Sequence, residues 1–504
     1  MAEVYAGQCL MTDVKIQKRN EVYLSVDCEP HIKYELSEYF SFDVPGAKFM
    51  PQYKKRIWDG KIKLFSPANG QIYCGLYGYL TDWLSHRGYT FEDVHNDYYG
   101  SPNDKNGNIS PGDVHEFVKS LNIPFQVRDY QLTAVYKALR YNRKLLLSPT
   151  ASGKSLMIYC IVRWFFDQGS NILIVVPTTS LVEQLVGDFK EYGWDPDDHC
   201  HKIYAGKDKN SSKGITITTW QSIYKMPKKW FEKFDCVIGD EAHQFKAKSL
   251  TQIMTKLHNC KHRIGFTGTL DGSNVNQLVL EGLFGTVDKV IKTNQLIDKG
   301  YLSTLKINVL LLQHDPQKFD TYNDELEAIC LNEKRNNFIK NLVTDLEGNT
   351  LILFSRVATH GEPLFELINS SVSDPHRQVF FVYGGVDTEE REQVRAITEQ
   401  QNNAIIVASY GTFSTGINIK NLHNVVFASP SKSRVRNLQS IGRVLRKGNR
   451  KTNAVLYDIA DDFSVGDSKN YTLNHLVERI KIYSQEKFNY EIIPVNFRKK
   501  RDER

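Results

Sequence analysis

The sequence predicts an α/β chain in which two tandem parallel-sheet lobes are preceded by a small α+β N-terminal domain. Three observations carry that prediction. A chain of 504 residues is too long for one hydrophobic core and divides into roughly three domains. From Lys144 onward, short continuous apolar runs alternate with helical patterns, the signature of a parallel sheet covered on both faces. Between these and the N-terminus lies "NDYYGSPNDKNGNISPGD" (96–113), crowded with Asn, Asp, Gly, Ser and Pro, which reads as a linker.

The elements follow in order. The N-terminal domain, 1–112, holds 11 of the 26 tyrosines and the stretch "YKKRIWDGKIKLF". There Asp59-Gly60 has the chemistry of a two-residue hairpin turn, and Lys61 and Lys63 alternate with Ile62 and Leu64 to give a basic and an apolar face. Lys54, Lys55 and Arg56 add charge on the partner strand, and Trp58 offers a stacking surface. Such a hairpin suits a DNA backbone with bases to stack on, although a solvated edge hairpin with Trp58 in a small core fits the same residues.

The first lobe, 113–303, takes its strands from "KLLLSP", "NILIVVP", "GITITT", "FDCVIGDE" and "HRIGFTGT", with helices beginning near Lys154 and spanning Leu181–Tyr192. The second, 304–504, takes them from "LKINVLLL", "TLILFS", "QVFFVYG", "NAIIVAS", "NVVFAS" and "NAVLYDI". A terminal amphipathic segment, roughly 470–488, is expected to pack back on this lobe.

Composition excludes several classes. No apolar run reaches the ~18–20 residues of a spanning helix, and no basic-then-apolar leader opens the chain, so a cytoplasmic protein is expected (host cytoplasm if viral). Eight cysteines stand singly without a C-x-x-C pair, which argues for a reducing compartment and against structural zinc. "HCH" at 199–201 lacks a second ligand pair at zinc spacing. Net charge is only +6, but basic residues cluster at 54–63, at 432–451 and in the tail "FRKKRDER", as polyphosphate binding needs.

The chemistry begins at "LLLSPTASGKS" (145–155). A phosphate loop points successive backbone N–H groups into one concavity at a helix N-terminus. The usual pattern has glycine where this chain has Ser148, with Pro149, Thr150, Ala151 and Ser152 between it and Gly153. Gly153 meets the main steric demand, and Ser148 is tolerable if its backbone is not forced to positive φ. Lys154 would reach the terminal phosphates of ATP, and the Ser155 hydroxyl would ligate Mg2+. In "CVIGDEAH", Asp240 and Glu241 follow an apolar strand, where a carboxylate can hold hydrated Mg2+ and its neighbour can deprotonate the attacking water. In "NLQSIGRVLRKG", Gln439 is followed by Arg443 and Arg446, three apart on one helix face and suited to act as arginine fingers.

"RDYQ", "SPTASGKS", "VPTTSLVEQ", "TITTWQS", "DEAH", "FTGT", "LILFSR", "ASYGTFSTGINIKNL" and "QSIGRVLR" stand in the order of superfamily 2 helicase motifs over about residues 125–450. Within that superfamily the chain most resembles the UvsW-type phage DNA helicases, a likeness that "RIWDGKIKLF" and "EKFNY" extend over nearly the whole length. The resemblance implies RecA-like lobes and an ATP- and Mg2+-dependent DNA helicase, monomeric, serving phage recombination, repair and replication. Its implied substrates are branched or duplex DNA of weak sequence specificity (forks, Holliday junctions, R-loops), with RNA–DNA hybrids among them. It implies that Arg128 and Gln131 read adenine and that His243 couples the lobes. Thr267 and Thr269 transmit nucleotide state, and Gly416 sits near ribose and phosphate. Thr178, Trp220, Ser355, Arg356 and Thr415 meet the nucleic-acid backbone. Asn418 stands where many relatives have Asp, which puts a carboxylate role there in doubt. The same motifs occur in RNA helicases and in the duplex translocases of restriction systems, so those readings stay open. A nucleic-acid clamp with a dead ATPase is disfavoured by Lys154, Glu241 and Arg446.

Overall fold

A computed structural model describes residues 12–498 except 45, 95–108, 205, 207, 211–212, 271–273, 417–418, 420 and 447–452, and except the side chains of 246, 274–275, 388, 414–416 and 435. The chain forms two compact units, 1–147 with 155–290 and 148–154 with 291–504.

The first unit opens with β1 (Val14–Lys18), β2 (Tyr23–Cys28), β3 (Ser41–Asp43), β4 (Lys61–Lys63), β5 (Phe65–Ser66), β6 (Gln71–Tyr73) and β7 (Phe91–Asp93). Five of them form a mixed sheet in the order β5-β6-β2-β1-β7, and β3 pairs with β4 separately. Period-2 alternation buries Val14 and Ile16 of β1 and Leu24 and Val26 of β2 on one face, where the helices Pro30–Tyr39 and Tyr77–Arg87 cover them with Ile32, Leu36, Leu80 and Leu84. Helices on one face of a mostly antiparallel sheet make this an α+β domain.

The expected hairpin at Asp59-Gly60 does not form. β4 pairs antiparallel with β3 (Ser41↔Lys63, Phe42↔Ile62, Asp43↔Lys61), and Lys54 ends a one-turn helix, Pro51–Lys54, instead of lying on a partner strand. Proline at its first position suits a helix start. Asp59 uses its side chain to cap its own turn, Oδ1 accepting from the Lys61 N–H at 3.1 Å, so Gly60 at φ 79° leads back toward the distant strand β3.

In the same unit β8 (Arg143–Leu147), β9 (Ile172–Val176), β10 (Cys200–Ile203), β11 (Ile215–Thr219), β12 (Cys236–Gly239), β13 (His262–Thr267) and β14 (Val287–Lys289) form a parallel sheet, β10-β11-β9-β12-β13-β8-β14. Its strands serve two cores. Ile172, Ile174 and Val176 of β9 face one with the helix Lys154–Asp167, while Leu173 and Val175 face the other. That second core runs continuously into the N-terminal sheet. Polar links cross the same seam: Tyr79 donates to the buried Glu281 at 2.6 Å, and Arg143 donates to the Glu21 carbonyl oxygen and pairs with its carboxylate at 3.1 Å.

The seam is tight enough to test. A Cβ at Gly75 would lie 2.0 Å from the Glu281 carbonyl oxygen and 2.8 Å from that of Gly282, both backbone atoms that no side-chain rotation can move. Gly75→Ala should therefore cost about 2 kcal/mol or more. The cost is read calorimetrically as a lower unfolding midpoint of the first unit. An unchanged midpoint would mean that the N-terminal sheet is not seated on the helix Asn274–Phe284.

The second unit contains β15 (Thr304–Gln313), β16 (Thr350–Phe354), β17 (Val379–Val382), β18 (Ile405–Ser409), β19 (Asn424–Phe427), β20 (Asn453–Asp462) and β21 (Asn489–Asn496), also all parallel, in the order β17-β18-β16-β19-β20-β15-β21. The central strand β16, "TLILF", is buried throughout. The helix Tyr471–Gln485 packs against β20, where the buried Asp458 carboxylate accepts from Arg479 and Tyr483, each at 2.8 Å. Both sheets are tandem RecA-like lobes. Among the described residues no helix is long and apolar enough to cross a membrane.

Candidate nucleotide site and nucleic-acid surface

Parallel strands bring their carboxyl ends to one edge of a sheet, and the loops leaving that edge carry the chemistry. β8 ends at Leu147, and the helix Lys154–Asp167 starts after a six-residue loop, 148–153. In the loop between them Ala151 (φ 64°) and Gly153 (φ 82°) are left-handed, the backbone habit that turns successive N–H groups into an anion-binding concavity. Ser148 has no positive φ, which removes the need for glycine there. Its hydroxyl also has a use. The Ser152 hydroxyl donates to the Pro149 carbonyl (2.6 Å), so the Ser148 hydroxyl, 2.5 Å from Ser152 Oγ, is the donor of that pair and braces the loop from its buried side. Within the second unit, a Cβ on Gly442 would lie 2.5 Å from that of Thr150, which puts the helix Arg434–Val444 against the loop.

At the end of β12, Asp240 extends the ladder by donating its N–H to the Val175 carbonyl (3.0 Å), and its Oδ1 accepts from the Glu241 N–H (2.9 Å). Glu241 stands at φ 50°, strain of the kind that concentrates at functional sites. His243 Nδ1 lies 3.3 Å from Glu241 Oε2 and 3.0 Å from Thr267 Oγ1. Because the Thr267 hydroxyl donates to the Thr269 carbonyl (3.0 Å), it can only accept from the ring, so Nδ1 carries the proton. The His243 ring thus hydrogen-bonds the end of β13 through Nδ1, and the Glu241 carboxylate lies beside the same nitrogen.

Arg128 and Gln131 meet at the start of the helix Asp129–Arg140. The Arg128 N–H donates to Gln131 Oε1 (2.9 Å) and its guanidinium to the Tyr130 hydroxyl (3.0 Å). No motif in the sequence pointed to Tyr192. Burial pushes its phenol pKa up, against a smaller opposing effect of the Ser155 hydroxyl.

One expectation at the site needs correcting. Arg443 and Arg446 do not share a helix face, because the helix ends at Val444 and Arg446 follows in the turn, its N–H donating to the Arg443 carbonyl at 3.4 Å. Arg443 lies over the Phe413 ring, 5.4 Å from its centroid, and Gln439 is half-buried one turn earlier. Thr178 is the N-cap of the helix Thr179–Glu191, its Oγ1 accepting from the Leu181 N–H at 3.4 Å. Trp220 is half-buried and meets Tyr224 edge-on, and Ser355 is exposed with its N–H donating to Ser429 Oγ. Arg356 donates to Asn323 Oδ1 (3.2 Å). Thr415 and Gly416 fall in the helix Tyr410–Gly416, but their side-chain environment, and Asn418 altogether, lie outside the described residues. On the N-terminal domain Lys54, Lys55 and Arg56 are exposed, and Lys63 pairs with Asp59 at 3.2 Å. Trp58 is half-buried, its indole N–H donating to the Lys61 carbonyl (2.8 Å). The imidazoles of "HCH" have other work: His199 stacks on Trp194, and His201 meets the Asp208 carbonyl at 2.7 Å.

Comparison with known proteins decides the family. The model "DNA helicase UvsW, N-terminal" matches residues 13–92, "Type III restriction enzyme, res subunit" matches 124–272, and "Helicase conserved C-terminal domain" matches 333–448. The ATP-dependent DNA helicase uvsW of Enterobacteria phage T4 is 33% identical over 512 residues, covering 96% of this chain and 100% of that protein. The chain belongs to the UvsW family of superfamily 2 helicases. The crystal structure of T4 UvsW superposes with a TM-score of 0.51 over 96% of this chain and 100% of its own. A DNA 3'-5' translocase XPB2 of Sulfurisphaera tokodaii is 23% identical over 370 residues, 66% of this chain and 81% of that one. Yeast Dbp5 bound to RNA and ADP BeF3, at 13% identity and a TM-score of 0.54, shares the fold. As a UvsW-family member the chain is an ATP-dependent helicase.

Proposed function

We propose that this UvsW-family helicase uses ATP hydrolysis to unwind or remodel branched DNA (forks, Holliday junctions and R-loops) in phage recombination, repair and replication, acting as a monomer in the host cytoplasm. The observation that carries the reading is the Glu241–His243–Thr267 cluster at the strand ends of a protein 33% identical, over 96% of its length, to a DNA helicase. We assign residues 1–112 to nucleic-acid binding and 113–303 and 304–504 to the two halves of the motor.

In this reading Arg128 and Gln131 hold adenine, the N–H groups of 149–155 and Lys154 hold the phosphates, and Gly416 lies near the ribose. Ser155 and Asp240 offer a hydroxyl and a carboxylate, hard oxygen donors of the kind Mg2+ takes. The ion would neutralise charge on the phosphoryl oxygens. Glu241 orients the attacking water and takes its proton, while His243, whose Nδ1 lies beside both the Glu241 carboxylate and the Thr267 hydroxyl, reports the carboxylate's position to β13. Gln439, Arg443 and Arg446 supply charge from the second lobe as the phosphoryl transfers. Thr178, Trp220, Ser355, Arg356 and Thr415 grip the strand, and Lys54, Lys55, Arg56, Trp58, Lys61 and Lys63 add an N-terminal contact. The cations and hydroxyls are phosphate-directed and the tryptophans offer a face to any base, so sequence preference is weak.

The experiment is the ATPase rate across single-stranded, duplex, forked, four-way and RNA-containing substrates. Branched DNA is expected to stimulate most. Strongest stimulation by RNA alone would instead establish an RNA helicase, and stimulation by linear duplex alone a translocase.

A further inference from the structure

In the N-terminal domain, the segment between β3 and β4 presents apolar side chains where burial would be expected. Phe49 is 81% exposed, Ile57 is 74% exposed and Met50 is 42% exposed. Their neighbours are fixed. Ala47 is buried, Tyr53 packs against Gly60, where a Cβ would come within 3.0 Å of its ring, and Trp58 is tied to the Lys61 carbonyl. Turn hydrogen bonds hold the backbone between these anchors: Phe49 N–H to the Gly46 carbonyl (3.0 Å) and Ile57 N–H to that of Gln52 (3.0 Å), with Arg56 in the left-handed region at φ 55°. The protein thus holds an ordered segment in a conformation that keeps large apolar groups in water.

The charge around them is of one sign. Lys48, Lys54, Lys55 and Arg56 are all exposed, and no acidic residue occurs between Asp43 and Asp59. Cations beside outward Phe, Met and Ile match a polyanion that also has apolar faces to offer. Proteins that part or kink a duplex insert just such side chains between bases while Lys and Arg hold the phosphates. Neither a protein core nor an intact phosphate backbone would use both features.

We propose that Phe49 and Ile57 form a wedge that stacks on unpaired bases at the branch point of DNA, with Lys48, Lys54, Lys55 and Arg56 holding the flanking phosphates. This rests on the reading of the chain as a DNA helicase and adds the residues that meet the junction. The wedge is specific for a strand-separation point and adds little to binding of linear single strands.

The test uses the full chain on a fork with 2-aminopurine at the branch. Binding without ATP is expected to change the fluorescence. Phe49→Ala/Ile57→Ala should lose most of that change and unwind the fork about tenfold or more slowly, while its single-strand-stimulated ATPase stays within about twofold of the parent. Phe49→Trp should keep both signal and unwinding, since an aromatic face is retained. A double variant with parental fluorescence and unwinding would overturn the proposal and leave the patch to another occupant, such as a protein partner. Loss of ATPase in step with unwinding would overturn it too, by placing these residues in the motor. Absence of DNA-stimulated ATPase in the parent would count against the helicase reading alone, because the fluorescence change needs no ATP.

Discussion

Lys154→Ala should reduce ATP turnover by about three orders of magnitude or more while leaving DNA binding nearly intact. Lys154 is the first residue of its helix and follows the left-handed pair Ala151 and Gly153. Backbone N–H groups of the loop are unaffected by the substitution, so some nucleotide affinity survives. What disappears is the cation that reaches the terminal phosphates as charge develops on them. No DNA-facing motif includes this residue. Steady-state ATPase and a gel-shift titration on the same preparation separate the two effects. Retained turnover would refute the assignment of the loop.

Arg446→Ala is expected to lower kcat about 10³-fold or more, with a much smaller effect on KM for ATP. A group that acts only as the phosphoryl transfers stabilises the transition state without contributing equally to ground-state binding. The turn after Val444 gives the two arginines different backbone settings, since Arg443 is helical and lies over Phe413 whereas Arg446 follows the helix end. Arg443→Ala and Arg446→Ala should therefore differ, and Arg446→Lys should recover little, because a point charge does not replace a planar fork. Single-turnover ATPase kinetics would settle this, an unchanged kcat placing Arg446 outside the site.

Much of this was legible in the sequence because parallel strands buried on both faces must be continuously apolar. Runs such as "ILIVV" and "TLILF" announce themselves, and the loops that follow them announce the site. Edge elements are quieter. β21, "NYEIIPVN", lies at a sheet edge with Pro494 inside it and was hidden by its charge and proline. The Asp59-Gly60 hairpin failed because local turn chemistry cannot see a partner 20 residues earlier, and Phe42 pairs across with Ile62. The helix end after Val444 is likewise unmarked by periodicity, because Ile441, Val444 and Leu445 keep helical spacing and are all buried across it. The exposure of Phe49 and Ile57 was illegible in principle, since sequence shows that a residue is apolar but not that the fold leaves it outside.

The central claim is that the loop before Lys154, the carboxylates after β12 and the arginines after Gly442 serve one triphosphate. A crystal structure with Mg2+ and a non-hydrolysable ATP analogue tests it most directly. The account predicts the terminal phosphates on the N–H groups of 149–155, the metal between Ser155 and Asp240, and the guanidinium groups of Arg443 and Arg446 turned toward the terminal phosphate. Those guanidinium groups pointing away from bound nucleotide, with no hinge able to bring them in, would contradict it.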